Sequence, residues 1–305
     1  MQRRKFLGAA AASALAVPSA VLSAHAGEFF PAASFSEPSI PDAPPDSSPY
    51  PLSVMLWTVE PKLPFDQRLD IVAQAGYHAC QLVNEYKDWS SEDFARARRK
   101  KDALGITFDA TSGINGSLCD PARREATLRE IRDHLPKLVE LQSPRLILLS
   151  GNHVPGLSHE QMHAACVETI RAAADLAAQK NIELLIENID PEENPEYFLT
   201  SVNEGFEIIR AVNRPNVKFL YDFFHDQIAE GNLIAKLGKN IDLIGLVHVA
   251  DVPGRHEPGT GEINYPNIFR KLRALNYRGN IAMEFVPTAN TVQSLSAARQ
   301  LVDHV

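Results

Sequence analysis

From residue 51 onward the chain repeats one unit: a short apolar run ending in polar residues, a segment with helical periodicity, then Gly or Asn before the next apolar run. The runs are Leu52–Thr58, His78–Asn84, Ile106–Ala110, Arg145–Ser150, Glu183–Glu187, Val217–Asp222, Ile244–Ala250 and Ile281–Phe285, eight in all. Leu146-Ile147-Leu148-Leu149 and Leu184-Leu185-Ile186 are continuously apolar, as expected of parallel strands covered on both faces. Between the runs, Phe65, Leu69, Val72 and Ala73 fall on one helical face, as do Leu128, Ile131, Leu135 and Leu138, then Val167, Ile170, Ala174 and Ala177, and Ile268, Leu272 and Leu275. Gly76, Gly105, Asn181 and Asn276 each stand between a helical segment and a strand, where a left-handed residue ends a helix. Strands alternating with helices define an α/β domain. An open sheet shares this pattern; eight units in about 255 residues favour a closed (β/α)₈ (TIM) barrel spanning residues 51–305.

The first 50 residues belong to a different regime. Residues 1–26 have adjacent basic residues (Arg3, Arg4, Lys5), an apolar stretch from Ala9 to Leu22, and the small-x-small ending Ala24-His25-Ala26. That is the three-part layout of a secretory signal, and Arg-Arg-x-Phe-Leu resembles a twin-arginine signal. The expectation is an exported, periplasmic protein, with cleavage or retention of the signal left open. The apolar stretch is short and contains Pro18, so no stable membrane span is expected once the signal is removed. Residues 27–50, with Pro31, Pro38, Pro41, Pro44, Pro45 and Pro49 among Ser, Asp and Glu, read as a disordered linker.

The formal charge is −8, and removing Arg3, Arg4 and Lys5 makes the mature chain more acidic still. Nucleic acid and anionic membranes are thereby disfavoured as partners. Cys80, Cys119 and Cys166 are odd in number and widely spaced, so they form neither a metal cluster nor a disulfide framework; Cys80 and Cys166 sit in apolar patterns and read as core.

In such a barrel the chemistry lies at the C-terminal ends of the strands. Strand five ends in Glu187, strand six in Asp222, strand seven carries His248 and strand eight Glu284. Four consecutive strands thus aim three carboxylates and one imidazole at a common point. Crowded carboxylates repel and a divalent cation removes that problem. Oxygen-rich ligation with one imidazole suits Mg²⁺ or Mn²⁺, with Zn²⁺ or Co²⁺ also compatible. Taken singly, each residue is better read as a cap or a salt-bridge partner; four at successive strand ends favour the metal.

Around this centre, His225 and Arg255 are candidates for substrate contact. His225 is also placed to cap the following helix, and Arg255 to be a solvated loop charge. Asn188 follows Glu187 and joins the substrate-contact group. Trp57, ending strand one, is either a wall of the substrate cavity or core, the core reading being favoured. Asp109, ending strand three, and His256 are candidates for supporting the ligands from behind. Asn152 and His153 read as loop residues.

The stretches LLIENID (184–190), YDFFHDQIAEGNL (221–233), HVADVPGRHEPGTGEINYPNIF (248–269) and IAMEF (281–285) resemble hydroxypyruvate isomerase and its relatives in the xylose-isomerase-like superfamily. SVMLWTV (53–59) and DPARRE (120–125) extend the likeness over most of the chain beyond residue 50. The resemblance implies a TIM barrel with one metal, with Glu187 and Glu284 both ligands and acid/base groups and Asp222 completing the set. One position departs: the typical isomerase has Gln where this chain has His248, whereas ketose epimerases of the superfamily have His there, with a His like His225 and an Arg near Arg255. The expected reaction is aldose–ketose isomerisation of a small hydroxy-carbonyl compound such as hydroxypyruvate, through an enediolate. A keto-sugar 3-epimerase or dehydratase of the superfamily is one alternative, and a non-catalytic exported sugar-binding barrel another. A homo-oligomer is compatible with either.

Overall fold

In a computed structural model the structure describes residues 50–304. The expected signal and nearly all of the expected linker, residues 1–49, lie outside the described residues. Eight strands pair in parallel and close into a barrel in chain order. They are β1 (Leu52–Met55), β2 (Ala79–Leu82), β3 (Thr107–Thr111), β4 (Arg145–Leu149), β5 (Glu183–Glu187), β6 (Val217–Asp222), β7 (Ile244–Val249) and β8 (Asn280–Met283). The helices around them are α1 (Phe65–Gln74), α2 (Ser91–Leu104), α3 (Arg124–Leu141), α4 (His159–Ala178), α5 (Val202–Val212), α6 (Phe223–Ala229), α7 (Leu233–Asn240), α8 (Tyr265–Ala274) and α9 (Thr291–Asp303).

The helical faces predicted from periodicity are the buried ones: Leu69, Val72, Ile131, Leu138, Ile170, Ala174, Ala177 and Leu272 are fully sequestered. Gly76, Gly105, Asn181 and Asn276 all have positive φ, between 54° and 83°. Ser90 and Ser158 open α2 and α4 as N-caps, each paired reciprocally with the third residue of its helix, Asp93 and Gln161.

Two interiors result. The larger lies between sheet and helices. The smaller fills the barrel with Met55, Ala110, Ile147, Leu185, Leu220, Leu246 and Ala282, one layer below the catalytic mouth. Residues two further along β5, β6 and β7 occupy the layer above, because side chains alternate along a strand. Those residues are Glu187, Asp222 and His248.

Several boundaries differ from expectation. Strand one ends at Met55, and Leu56–Thr58 turn into a 3₁₀ segment in which Arg68 donates to the Leu56 and Val59 carbonyls. Strand eight stops at Met283, leaving Glu284 just past its end. Asp109 lies in the middle of β3 rather than at its tip. Tyr50, placed by sequence in the linker, is a buried residue whose hydroxyl donates to the Phe269 carbonyl. All three cysteines are buried and unbridged.

Candidate active site

The barrel register sets the site. Asp222 and His248 are paired neighbours across β6 and β7, and His248 pairs with Ala282 on β8, two residues before Glu284. Glu187 pairs with Leu220, two residues before Asp222. Glu187, Asp222, His248 and Glu284 are all buried, and each offers one ligand atom within 4.8 Å of those of the others. His248 Nδ1 lies 2.7 Å from Glu284 Oε2, 3.5 Å from Glu187 Oε1 and 4.0 Å from Asp222 Oδ2.

Two of these atoms, His248 Nδ1 and Glu284 Oε2, are buried without hydrogen-bond geometry to any partner. Buried polar atoms are seldom left so. Burial lowers the His248 imidazole, but the Glu284 and Glu187 carboxylates outweigh it and push it up to about 10. Burial raises the Glu187 carboxyl, opposed by His248. Burial also acts on Glu284, but Arg255 and His248 overcome it and hold that carboxyl well below the usual range. Three carboxylates and one imidazole around two orphaned lone-pair atoms form a donor set that a hard or borderline divalent cation fits.

Arg255 closes one side. It sits in the left-handed region at φ 56°, a conformation that costs roughly 1–3 kcal/mol for such a residue. Its guanidinium lies 3.0 Å from Glu284 Oε2, 3.7 Å from Asp222 Oδ2 and 2.7 Å from Glu193 Oε2. It also stacks between Trp57 and Phe224, 5.5 and 5.1 Å from their ring centres. Of its carboxylate partners, Glu193 alone is largely exposed.

His225 is buried in the first turn of α6, whose N-cap is Asp222, accepting from Phe224 N at 2.7 Å. His225 therefore caps nothing. Its Nδ1 pairs with Asp190 Oδ2 at 2.6 Å, which leaves Nε2 facing Asp222 Oδ2 at 3.6 Å and Arg255 at 3.5 Å. Burial lowers this imidazole, but Asp222 and Asp190 push it up to about 9.

Trp57 belongs to the site rather than to the core, because its indole N–H donates to Glu284 Oε1 at 2.8 Å. Asn188 is wholly buried; its amide nitrogen donates to the Thr200 carbonyl at 3.3 Å in the loop after β5, and its Oδ1 is buried without a hydrogen-bond partner. His256 does not reach the ligands; its Nδ1 meets the Val286 carbonyl at 2.8 Å and braces the loop that carries Arg255. Asp109 does stand behind the site, two hydrogen bonds from His248 by way of Gln81. Sequence reasoning missed Gln81, Asp190 and Glu193. A glutamine inside the apolar run Ala79-Cys80-Gln81-Leu82 was the available signal for the first.

A closed eight-stranded barrel with a buried acid–imidazole centre at the C-terminal mouth, a clamped arginine and an aromatic wall defines a small-molecule enzyme of the (β/α)₈ class. The chain belongs to the xylose isomerase-like TIM barrel family, whose model matches residues 69–301. It is 31% identical over 241 residues to the 2-oxo-tetronate isomerase of Pectobacterium atrosepticum, covering 77% of this chain and 92% of that one. It is 35% identical over 241 residues to the hydroxypyruvate isomerase of Escherichia coli, covering 76% and 91%. Among solved structures, that of an AP endonuclease, family 2, from Brucella melitensis superposes with a TM-score of 0.74 at 28% identity, covering 80% of this chain and 96% of that one.

Proposed function

We propose that this enzyme isomerises a small hydroxy-carbonyl acid of the hydroxypyruvate or 2-oxo-tetronate type, with a divalent cation, Mg²⁺ or Mn²⁺ first and Zn²⁺ or Co²⁺ as alternatives. The observation that carries the reading is the Arg255 guanidinium 3.0 Å from Glu284, its remaining charge paired with the exposed Glu193. A substrate carboxylate can displace Glu193 from that fork, since Arg presents paired donors that match a carboxylate. Substrates named for the two isomerase relatives carry such a carboxylate beside the reacting carbons.

Glu187, Asp222, His248 and Glu284 would hold the cation, which when bound supplies Lewis-acid polarisation of the substrate carbonyl. Glu187 and Glu284 both face His248 Nδ1, at 3.5 and 2.7 Å, and handle the proton. One removes it from the hydroxyl-bearing carbon next to the carbonyl, the carboxyl so formed returns it to the former carbonyl carbon, and the hydroxyl proton passes from one oxygen of the enediolate to the other. Trp57 keeps Glu284 aimed, and the Trp57 and Phe224 rings beside Arg255 keep water from the fork. His225, held by Asp190, presents Nε2 toward a substrate oxygen.

The His248 imidazole in the ligand set favours a second reading, epimerisation of a keto-sugar, in which the proton returns to the opposite face of the same carbon. Action on nucleic acid, the activity for which the Brucella protein is named, has against it a net charge of −8 and a mouth lined by Glu187, Asp222, Glu193 and Glu284. The Arg3-Arg4-Lys5-Phe6-Leu7 opening supports an exported enzyme.

The test is proton NMR in deuterated water with hydroxypyruvate, 2-oxo-tetronate, ketoses and inososes, on enzyme stripped by chelator and reloaded with each cation. Deuterium entering a carbonyl acid, dependent on added cation and lost in Glu187→Gln and Glu284→Gln, is the expected result. Exchange confined to C3 of ketoses would establish the epimerase instead. No exchange with any substrate would leave a binding protein.

A further inference from the structure

Below the mouth, inside the barrel, a chain of buried polar side chains runs behind His248. Ser53 Oγ on β1 donates to Asp109 Oδ1 on β3 at 2.5 Å. Gln81 Nε2 on β2 donates to Asp109 Oδ2 at 3.2 Å. The other end of the same amide, Gln81 Oε1, lies 2.8 Å from His248 Nε2 on β7. Ser53, Gln81 and His248 are wholly buried and Asp109 nearly so. Met55, Leu185, Leu246 and Ala282 fill the same interior with apolar side chains, and Arg145 lies alongside Asp109. Polar groups in such a place are costly unless each serves a partner.

The direction of this chain has a consequence at the metal-binding end. Both Asp109 oxygens accept, Oδ1 from Ser53 and Oδ2 from the NH₂ end of Gln81, and this turns the Gln81 carbonyl toward His248. Ser53 spends its only hydrogen on Asp109, and Arg145 Nη1 reaches the Asp109 carbonyl at 3.4 Å, bringing positive charge alongside. An amide carbonyl accepts, so the ring proton of His248 lies on Nε2. With a cation bound, Nδ1 would be the lone pair facing Glu187, Asp222 and Glu284; without one, those carboxylates favour a proton on that nitrogen as well.

We propose that Ser53, Asp109 and Gln81 are positioning residues that fix His248 in the tautomer able to bind a cation through Nδ1. The proposal rests on the metal-dependent reading above and deepens it. Sequence reasoning placed Asp109 behind the site; Gln81, the member that touches the ligand, and the proton assignment come from the barrel interior. Partners of this kind typically alter metal affinity about ten- to a hundredfold when removed.

The experiment uses the complete chain with Mn²⁺ or Co²⁺ titrated by calorimetry, and ¹⁵N-labelled histidine spectra with His248 assigned by His248→Gln. Wild type is expected to bind one cation in the barrel and, with that cation bound, to show His248 protonated at Nε2 alone. Gln81→Met keeps size but removes the amide, and should weaken the cation about ten- to a hundredfold. Asp109→Asn frees the Gln81 amide to reverse, moving the His248 proton to Nδ1 and weakening binding similarly. The double exchange Gln81→Glu with Asp109→Asn restores an acceptor on His248 and a donor behind it, and should recover most of the affinity. A mere packing role for these residues would not predict that recovery. In cation-loaded wild type, a His248 proton on Nδ1 with Nε2 bare overturns the proposal, as does Gln81→Met binding within twofold of wild type. Failure of wild type itself to bind a cation refutes the metal-dependent function instead, and is seen in the first titration.

Discussion

The indole N–H of Trp57 donates to Glu284 Oε1 at 2.8 Å, joining residues 227 positions apart in the chain. The contact exists because β1 pairs with β8 when the barrel closes, bringing Val54 opposite Met283. The 3₁₀ turn after β1 then swings Trp57 over the next residue, Glu284. The bond fixes one oxygen of a carboxylate whose other oxygen faces His248 and Arg255.

Trp57→Phe removes that donor and keeps an aromatic face beneath Arg255. A hydrogen bond to a charged group is worth about 1.5–3 kcal/mol, so kcat should fall roughly ten- to a hundredfold. Unfolding temperature should hardly move. Steady-state kinetics and thermal melts of the one variant check both halves.

Arg255→Lys keeps the charge but not the fork. If Arg255 receives the substrate carboxylate, KM for carbonyl acids should rise about tenfold or more, since losing a paired geometry costs on the order of 1.5 kcal/mol. Neutral ketoses should be affected little. Equal losses on both substrate types would assign Arg255 to holding Glu284 and Asp222 rather than to substrate.

His134, on α3, is buried against Tyr86, with Nε2 2.6 Å from the phenol oxygen. Burial, with Lys137 and Lys87 nearby, lowers its pKa to about 4. A histidine depressed in the folded state takes up its proton on unfolding. Its contribution is therefore present above the unfolded pKa of about 6.5 and is lost as pH falls toward 4. At about 1.4 kcal/mol per unit, wild type should lose roughly 2–3 kcal/mol more than His134→Gln between pH 7.5 and 4.5. Urea unfolding of the two proteins at both pH values measures the difference.

Gly205 in α5 packs so closely on β6 that a Cβ there would lie 2.3 Å from Phe219 Cε2. Gly205→Ala should cost about 1–3 kcal/mol through overpacking, read as a lowered melting temperature. Pairing it with Phe219→Leu should recover part of that loss. An additive double variant would show that the strain is not at this contact.

Much of this molecule was legible without coordinates. The eight apolar runs and their spacing announced the barrel, because strand and helix periodicities and helix-ending Gly and Asn are local properties. Glu187, Asp222, His248 and Glu284 were legible for the same reason: each stands at the end of an apolar run, and strand ends of a parallel barrel share one face. For Asn188 the sequence could not show that its amide nitrogen is committed to the Thr200 carbonyl, because that contact depends on how the loop after β5 folds back. His256 misled, since the loop turns its ring to the Val286 carbonyl while Arg255 enters the site.

Local pattern along the chain dictates which elements form, in what order, and which four ionisable residues stand at the strand tips. Only the closed barrel decided that Trp57 reaches Glu284, that Arg255 lies between Trp57 and Phe224, and that Gln81 links Asp109 to His248. Those contacts join strands and loops far apart in the chain. Their register is set by packing and closure, which no local pattern encodes.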